Sequence, residues 1–339
     1  MKSAQRVKCF GGVLLMLFLS IAAGLPTAFG ADITLRFSGN HPLTHHCTRG
    51  MELYAKLVME KMNQVKIEVY PAGQLFSDKD LVRALPTGAV DMGVMHTAML
   101  SGLVPVSLFL DFPFFYRDRA HWHRLIDSKA GEIVKQDLEK RNLQLLYWMD
   151  FGRIDFASKM PLKTLESFKG KRIRGSGEMQ LEGIRAMGAS PTFLGAGEVY
   201  LALQRNTIDG ATSGPSSFWE RKYYEVAKFI TDADYQFGVF PVLINKKIWE
   251  GLSPDLQTIM LQAGKEAQAW GRKEAEKVDT ESIGLLEKKG MEYYYIPEKE
   301  RARWTAATSK VTINLFMNRI GEKEQDKGKQ ILEFAEKLR

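Results

Sequence analysis

Apolar and polar positions alternate along the first third of the chain in a repeating strand and helix order. Ile33 to Phe37 and Val65 to Tyr70 alternate with a period of two, which predicts two strands. Apolar residues at helical spacing predict a helix from Gly50 to Asn63 and another from Asp78 to Leu85. The apolar run from Val90 to Met95 is typical of a buried parallel strand. This order predicts an α/β lobe with a parallel sheet.

The same pattern returns in the second part of the chain. A helix is predicted from His121 to Lys140, and a strand from Leu143 that ends at Trp148 or Met149. A second βα unit is predicted to begin near Phe151. Its strands are predicted at Arg172–Arg174, Ser190–Leu194, Ile208–Ala211, Tyr235–Ile244 and Tyr293–Ile296. Its helices are predicted at Glu178–Met187, Val199–Gln204 and Phe218–Ala227, and two further helices finish the chain.

One predicted helix is much longer than the others. Ser253-Pro254-Asp255 combines a capping serine, a proline at the first helical position and an acid, which is a strong helix start. The helical pattern then continues without proline to Gly290, over about 35 residues or roughly 50 Å. A helix of this length exceeds a single lobe, so we expect it to span two lobes.

Residues 1–30 have the pattern of a secretory signal peptide. A basic start is followed by an apolar run from Cys9 to Ala23, and Ala28 and Gly30 form a small-x-small cleavage site before Ala31. A membrane anchor is the alternative, but the run is shorter than the roughly 20 residues that a span needs. The sequence therefore predicts export to the periplasm and a soluble mature protein.

The bulk composition narrows the function classes. The 309 residues after the signal peptide fit two domains. Because the signal peptide holds three of the 47 Lys and Arg residues and none of the 40 acids, the mature charge is +4, which gives no indication of nucleic-acid binding. Cys47 is the single cysteine after residue 30, so no internal disulfide is predicted.

Common catalytic and cofactor signatures are missing from the sequence. The clusters His41, His45, His46, Cys47 and His121, His123 lack good metal-ligand spacing, because neighbouring positions on a helix point in different directions. The glycine pairs at 175 and 177 and at 195 and 197 do not complete a nucleotide-binding motif, and no GxSxG occurs. We therefore predict no enzyme activity and no cofactor.

Two arginines lie where α/β folds bind ligands. Arg174 ends a predicted strand and is followed by a Gly-Ser-Gly turn, and Arg153 follows the strand that ends near Trp148. A guanidinium there matches a carboxylate with two parallel hydrogen bonds. The alternative for each is an ordinary surface arginine, and spacing alone does not decide between them.

Several segments resemble one family of binding proteins. FKGKRIRG, MGASPTFL, GEVYLALQRNTIDG and YYEVAKFI, which lie between residues 168 and 230, resemble the solute-binding proteins of tripartite ATP-independent periplasmic (TRAP) transporters, of the DctP type. The segments LRFSGNHP, IEVYPAGQL, VRALPTGAVDMGVM and FLDFPFFYRDRAHW extend the resemblance over nearly the whole mature chain.

The resemblance implies an α/β, two-lobed periplasmic binding protein fold with crossing hinge strands and a long hinge-spanning helix. Lobe I would comprise residues 31–150 and about 239–278, and lobe II about 151–238 and 279–339. It also implies that the protein captures an organic acid between the lobes and delivers it to the small and large TRAP membrane subunits. No nucleic-acid partner is expected.

The resemblance also suggests ligand contacts. It makes Arg174 the carboxylate anchor and Arg153 a second arginine of the site. Ser213 stands where an asparagine is common, which argues against heavily hydroxylated acids. The other candidates are Asn40, Met95, His96, Trp148, Ser176, Phe218 and Trp219. Together they suggest a ligand with an apolar or aromatic body and one carboxylate, although core packing would also explain each aromatic residue.

Three other functions fit parts of the pattern. The first is a substrate-binding protein of an ATP-driven (ABC-type) importer for an organic acid, which shares the two-lobe plan but is disfavoured by the EVYLALQ segment. The second is a sensory receptor, whose binding module would look the same. The third is a periplasmic enzyme, which the missing nucleophile and metal motifs disfavour.

Overall fold

A computed structural model describes residues 33–338, so the predicted signal peptide and Ala31 lie outside the described residues. Within them the strands are β1 Ile33–Ser38, β2 Val65–Tyr70, β3 Met92–Val94, β4 Leu143–Ser158, β5 Arg172–Gly175, β6 Ser190–Phe193, β7 Gly210–Ser213, β8 Phe229–Asn245 and β9 Glu292–Tyr295. The helices are α1 His46–Lys61, α2 Asp78–Thr87, α3 Thr97–Leu100, α4 Arg119–Ile126, α5 Lys129–Glu139, α6 Glu178–Ala186, α7 Val199–Gln204, α8 Pro215–Glu220, α9 Lys246–Glu250, α10 Pro254–Lys288, α11 Glu298–Ile320 and α12 Gln325–Lys337.

All of these strands belong to one sheet. Its order is β2-β1-β3-β8-β4-β7-β5-β6, with β9 paired to β8 off this path. β1 is parallel to β2 and β3, and β5 is parallel to β6 and β7. The long strands β4 and β8 run antiparallel to each other between these two parallel sets. They therefore join two α/β halves, which confirms the expected α/β class.

Strand β4 does not end at Trp148, as the sequence analysis expected, but continues to Ser158. Asp150, Gly152, Arg153 and Asp155 interrupt the apolar pattern in this stretch, and the alternation alone therefore hides the strand. Distant groups compensate for the buried polar residues: the Arg153 main-chain N–H donates to Asp279 Oδ2 over 2.9 Å. The partner strand β8 likewise begins at Phe229, before its predicted start.

The long helix is confirmed as α10. Ser253 caps it, because its Oγ accepts a hydrogen bond of 3.3 Å from the Leu256 main-chain N–H. Pro254 occupies the first turn, and the 35-residue helix ends just before Gly290, which has a φ of +85°. Helix α10 packs against β4 and α1.

Two predicted helices are shorter than expected. The pattern from His121 to Lys140 is two helices, α4 and α5, because Ser128 interrupts it and caps the second: its Oγ accepts from the Ala130 N–H over 3.1 Å. The pattern from Phe218 to Ala227 is split between α8 and a 3₁₀ turn. Within residues 33–338, no helix combines the length and apolar composition that a membrane span requires.

Candidate ligand-binding cleft

A cleft lies where the two halves of the sheet meet. Asn40 and His96 follow the carboxyl ends of β1 and β3, and Ser176 and Ser213 stand at the carboxyl ends of β5 and β7. Ligands of open α/β sheets bind at this edge. The remaining lining residues are His41, Asp78, Val94, Met99, Phe151, Ile154, Arg174, Gln180, Ala196, Thr212, Ser217, Arg221 and Phe240.

Arg174 is a buried cation in the wall of this cleft, with 4% of its surface exposed. Its Nε donates to the Leu194 carbonyl over 2.9 Å, and its Nη1 donates to the Thr212 carbonyl over 2.8 Å. No carboxylate among residues 33–338 forms an ion pair with it. Burial lowers the pKa of Arg174, but a guanidinium stays protonated in proteins. The side chain is therefore a fixed positive charge held by neutral groups.

The polar wall beside Arg174 is organised by one amide. Gln180 Oε1 accepts hydrogen bonds from the Ser176 main-chain N–H over 2.9 Å and from the Thr212 hydroxyl over 2.6 Å. Its Nε2 donates to Gln236 Oε1 over 2.7 Å. The Thr212 main chain in turn holds Arg174. These bonds fix the orientation of the wall before any ligand enters it.

His96 supplies a neutral hydrogen-bond donor. Its Nδ1 accepts from the Ala98 main-chain N–H over 3.0 Å, which assigns the ring proton to Nε2. Nε2 lies 3.4 Å from the Ser176 hydroxyl, on the other half of the sheet. Burial and then Arg174 lower the pKa of His96 to about 3, so the ring is uncharged at neutral pH.

Three polar atoms in the cleft are buried without a hydrogen-bond partner in the described part of the chain. They are Asn40 Nδ2, His41 Nδ1 and Arg221 Nε. Burial, and then the charge of Arg221, hold the pKa of His41 well below its usual range. Because a buried polar group without a partner is costly, three of them in one cleft indicate a place for a polar ligand.

The structure brings five of the ten candidate residues together at the cleft: Asn40, His96, Arg174, Ser176 and Ser213. Four others lie elsewhere. Met95 and Trp148 belong to an apolar core cluster, and Phe218 is buried in another, where it packs against Tyr223 at 5.6 Å. Trp219 packs beside Tyr224, with 5.3 Å between ring centroids.

Arg153 is the fifth candidate that lies outside the cleft. It lies inside β4 rather than beyond a strand end, because that strand continues past Trp148. Its Nη2 pairs with Asp155 Oδ2 at 2.8 Å and with Asp232 Oδ2 at 2.6 Å. Its guanidinium is therefore already matched by two acids and does not line the cleft.

Several cleft residues have no signal in the sequence. Asp78 is the first residue of a helix, Arg221 follows the last residue of another, and His41 lies in a loop. Only the sheet topology brings these segments to one edge. Phe151 and Phe240 face each other across β4 and β8, with 5.0 Å between ring centroids, and they add an apolar wall.

The histidine cluster is closer together than its spacing predicts. Donor atoms of His41, His45 and Cys47 all lie within 4.8 Å of one another. However, both nitrogens of His45 already have partners: Nδ1 accepts from the Cys47 main-chain N–H, and Nε2 lies 3.2 Å from the Ser216 hydroxyl. These bonds cap α1 and connect it to α8, which accounts for the cluster.

The family model of bacterial extracellular solute-binding proteins, family 7 (DctP), matches residues 37–318. The chain belongs to this family. The resemblance to TRAP solute-binding proteins is thereby confirmed, together with the two-lobed fold that it implies. The lobe boundaries given above stay a prediction.

Individual relatives of this family 7 protein cover most of its length. It is 28% identical over 307 residues to the 2,3-diketo-L-gulonate-binding periplasmic protein YiaO of Escherichia coli K12, which covers 90% of this chain and 93% of the relative. It is 28% identical over 291 residues to the C4-dicarboxylate-binding periplasmic protein DctP of Rhodobacter capsulatus, which covers 84% and 87%.

Two solved structures are also similar to this family 7 protein. A TRAP periplasmic solute-binding protein from Desulfovibrio salexigens with bound orotic acid has a TM-score of 0.87 at 25% identity, covering 90% of this chain and 99% of that one. One from Sulfurospirillum deleyianum with bound succinate has a TM-score of 0.81 at 27% identity, covering 89% and 98%. The ligands named for these four relatives are 2,3-diketo-L-gulonate, C4-dicarboxylates, orotic acid and succinate, and each of them is a carboxylic acid.

Proposed function

We propose that this chain is an exported TRAP receptor that binds a small organic acid in the cleft and passes it to the TRAP membrane subunits. It binds and releases its ligand without changing it, and it works in the periplasm. The observation that supports this most directly is Arg174, a buried guanidinium that lines the cleft and has no acidic partner in the described part of the chain. A ligand carboxylate would supply the missing charge through a two-bond fork.

The energetics favour a ligand that loses its water in the cleft. A buried ion pair is stable only when further hydrogen bonds complete it. The unpartnered Asn40 Nδ2 and Arg221 Nε, together with the Ser213 hydroxyl, are placed to contribute such bonds. Phe151 and Phe240 line the same space, and their apolar rings would strengthen the ion pair by lowering the local dielectric constant.

A thermal-shift screen of residues 31–339 against organic acids tests this function. We expect at least one carboxylic acid to raise the melting temperature by several degrees, because a ligand that occupies only the folded state stabilises it by mass action. The matched neutral amide of that acid is the control, and it should produce no shift. Equal shifts from acid and amide would contradict a carboxylate receptor.

We also expect the protein to contract when it binds an acid. Side chains from the two halves already meet across the cleft: Arg221 Nη2 donates to the Asn40 carbonyl over 3.2 Å, and Lys79 Nζ lies 3.5 Å from Glu198 Oε2. A ligand between the halves would favour this closed arrangement. Small-angle scattering should therefore give a smaller radius of gyration with a saturating acid. Identical curves with and without that acid would exclude closure.

A further inference from the structure

We propose that Asp78 selects ligands that carry a hydrogen-bond donor, an ammonium, N–H or hydroxyl group, beside their carboxylate. This inference rests on the proposed function and adds to it the class of acid. It makes Asp78 a specificity residue that contacts a ligand group other than the carboxylate bound by Arg174.

The position of Asp78 is fixed by its helix. It is the first residue of α2, and the preceding Ser77 caps that helix by accepting a hydrogen bond from the Asp80 main-chain N–H. The half-buried Asp78 side chain lines the cleft together with Arg174 and Arg221. The cleft therefore contains one acid and two cations.

The Asp78 carboxylate is unmatched. Among residues 33–338 it has neither a hydrogen bond nor an ion pair, whereas Asp91 and Asp209 each pair with an arginine, at 3.0 and 2.8 Å. Burial raises the pKa of Asp78, and the charges of Arg221 and then Arg174 act against this rise. An ionised carboxylate is an acceptor only, so the group that completes it must be a donor.

The positive and negative charges that line the cleft are separate from each other and do not neutralise each other in an ion pair. Arg174 and Asp78 affect each other electrostatically but do not form an ion pair, so a space separates them. A ligand that presents only acid groups would be repelled by Asp78. An acid with a neighbouring donor matches both Arg174 and Asp78. Arg221 Nε, which has no partner among residues 33–338, can donate to a further ligand oxygen.

Matched acids test this selection by calorimetric titration. Succinate, L-malate and L-aspartate differ at one carbon by hydrogen, hydroxyl and ammonium, and L-pyroglutamate differs from its lactone analogue by N–H against oxygen. We expect the wild type to bind the donor-bearing acids about tenfold more tightly or better. In Asp78→Ala the donor-bearing acids should weaken by about tenfold, while the donor-free acids should bind equally or more tightly because a repulsive charge is gone.

Asp80→Asn is the matched control. Asp80 lies on the same helix but is exposed, lies outside the cleft, and accepts from the Ser77 hydroxyl over 2.6 Å. This variant should keep the wild-type preference, and Asp78→Asn should keep part of it, because its carboxamide oxygen still accepts.

Two kinds of failure are distinguishable. Equal wild-type affinity for donor-bearing and donor-free acids, or a preference that survives in Asp78→Ala, would overturn the role of Asp78 and leave the carboxylate receptor intact. Absence of binding by every acid of the thermal-shift screen, or unchanged binding in Arg174→Ala, would overturn the receptor function itself.

Discussion

Replacing Arg174 with alanine is expected to weaken acid binding by about 10²- to 10⁴-fold, which corresponds to about 3–5 kcal/mol for removing one partner of a buried ion pair. The ligand carboxylate would lose the counter-charge at its own position, because Arg221, the other cation that lines the cleft, does not lie between the Leu194 and Thr212 carbonyls. Calorimetric titration with the acid found by thermal shift measures the loss. The affinity of Arg174→Lys should lie between those of the wild type and Arg174→Ala, because an ammonium keeps the charge but not the planar fork.

The folded state should tolerate this change. Arg174→Ala removes two hydrogen bonds but also an uncompensated buried charge, so the free energy of unfolding should change by about 1 kcal/mol or less. Arg172→Ala is the matched control on the same strand, because its exposed side chain pairs with Asp209 at 2.8 Å, away from the cleft. It should leave affinity unchanged. Similar affinity losses in both variants, or none in Arg174→Ala, would refute the anchor.

Replacing Gly152 with alanine is expected to lower the free energy of unfolding by about 3 kcal/mol or more. Gly152 has a φ of +103°, and an added Cβ would lie 2.6 Å from Asp279 Oδ1. The Asp279 carboxylate would have to move away from the Arg153 main-chain N–H and from Arg119, with which it forms an ion pair. That movement would break one of the contacts that hold α10 against the middle of β4.

Gly170→Ala separates the cost of a positive φ from the cost of the contact with Asp279. Gly170 also has a positive φ, +71°, but an added Cβ would meet nothing within 4 Å. It should therefore show only the backbone cost, about 1 kcal/mol. Urea unfolding of both variants under identical conditions gives the comparison. Equal midpoints for the two variants would mean that the contact with Asp279 contributes nothing to stability.

Local signals in the sequence predicted the limits of a helix or strand well where a helix cap, a proline or a glycine marks its end. Strand β2 and helix α7 have the predicted limits, and the cap at Ser253 located the start of α10. The second half of β4 was missed because its buried polar groups are stabilised by partners distant in sequence: Arg119 pairs with Asp150, and Asp279 accepts from the Arg153 main-chain N–H. The periodicity of apolar residues cannot reveal a strand whose buried polar residues are stabilised by tertiary contacts.

The sequence predicted those cleft residues that lie together in one segment of the chain. Arg174 and Ser176 stand at a strand end beside glycines, which is a local signal. Asp78 and Arg221 became neighbours of Arg174 only through the sheet order, which spacing does not encode. Trp148 illustrates the opposite case: an aromatic residue near a strand end looks like a ligand contact, but the strand continues and the ring packs in the core.

The order of strands in the sheet also determines when the chain can fold. Strand β3 pairs with β8 through Met92–Ile244 and Val94–Val242, so the first parallel set keeps an open edge until residues near 245 are present. An open edge of this kind invites pairing between chains, and pairings this distant in sequence form slowly. A chain that emerges with its N-terminus first must therefore stay unfolded until most of it is available. We expect it to need a holding chaperone during synthesis more than a protein of similar size built from contiguous domains.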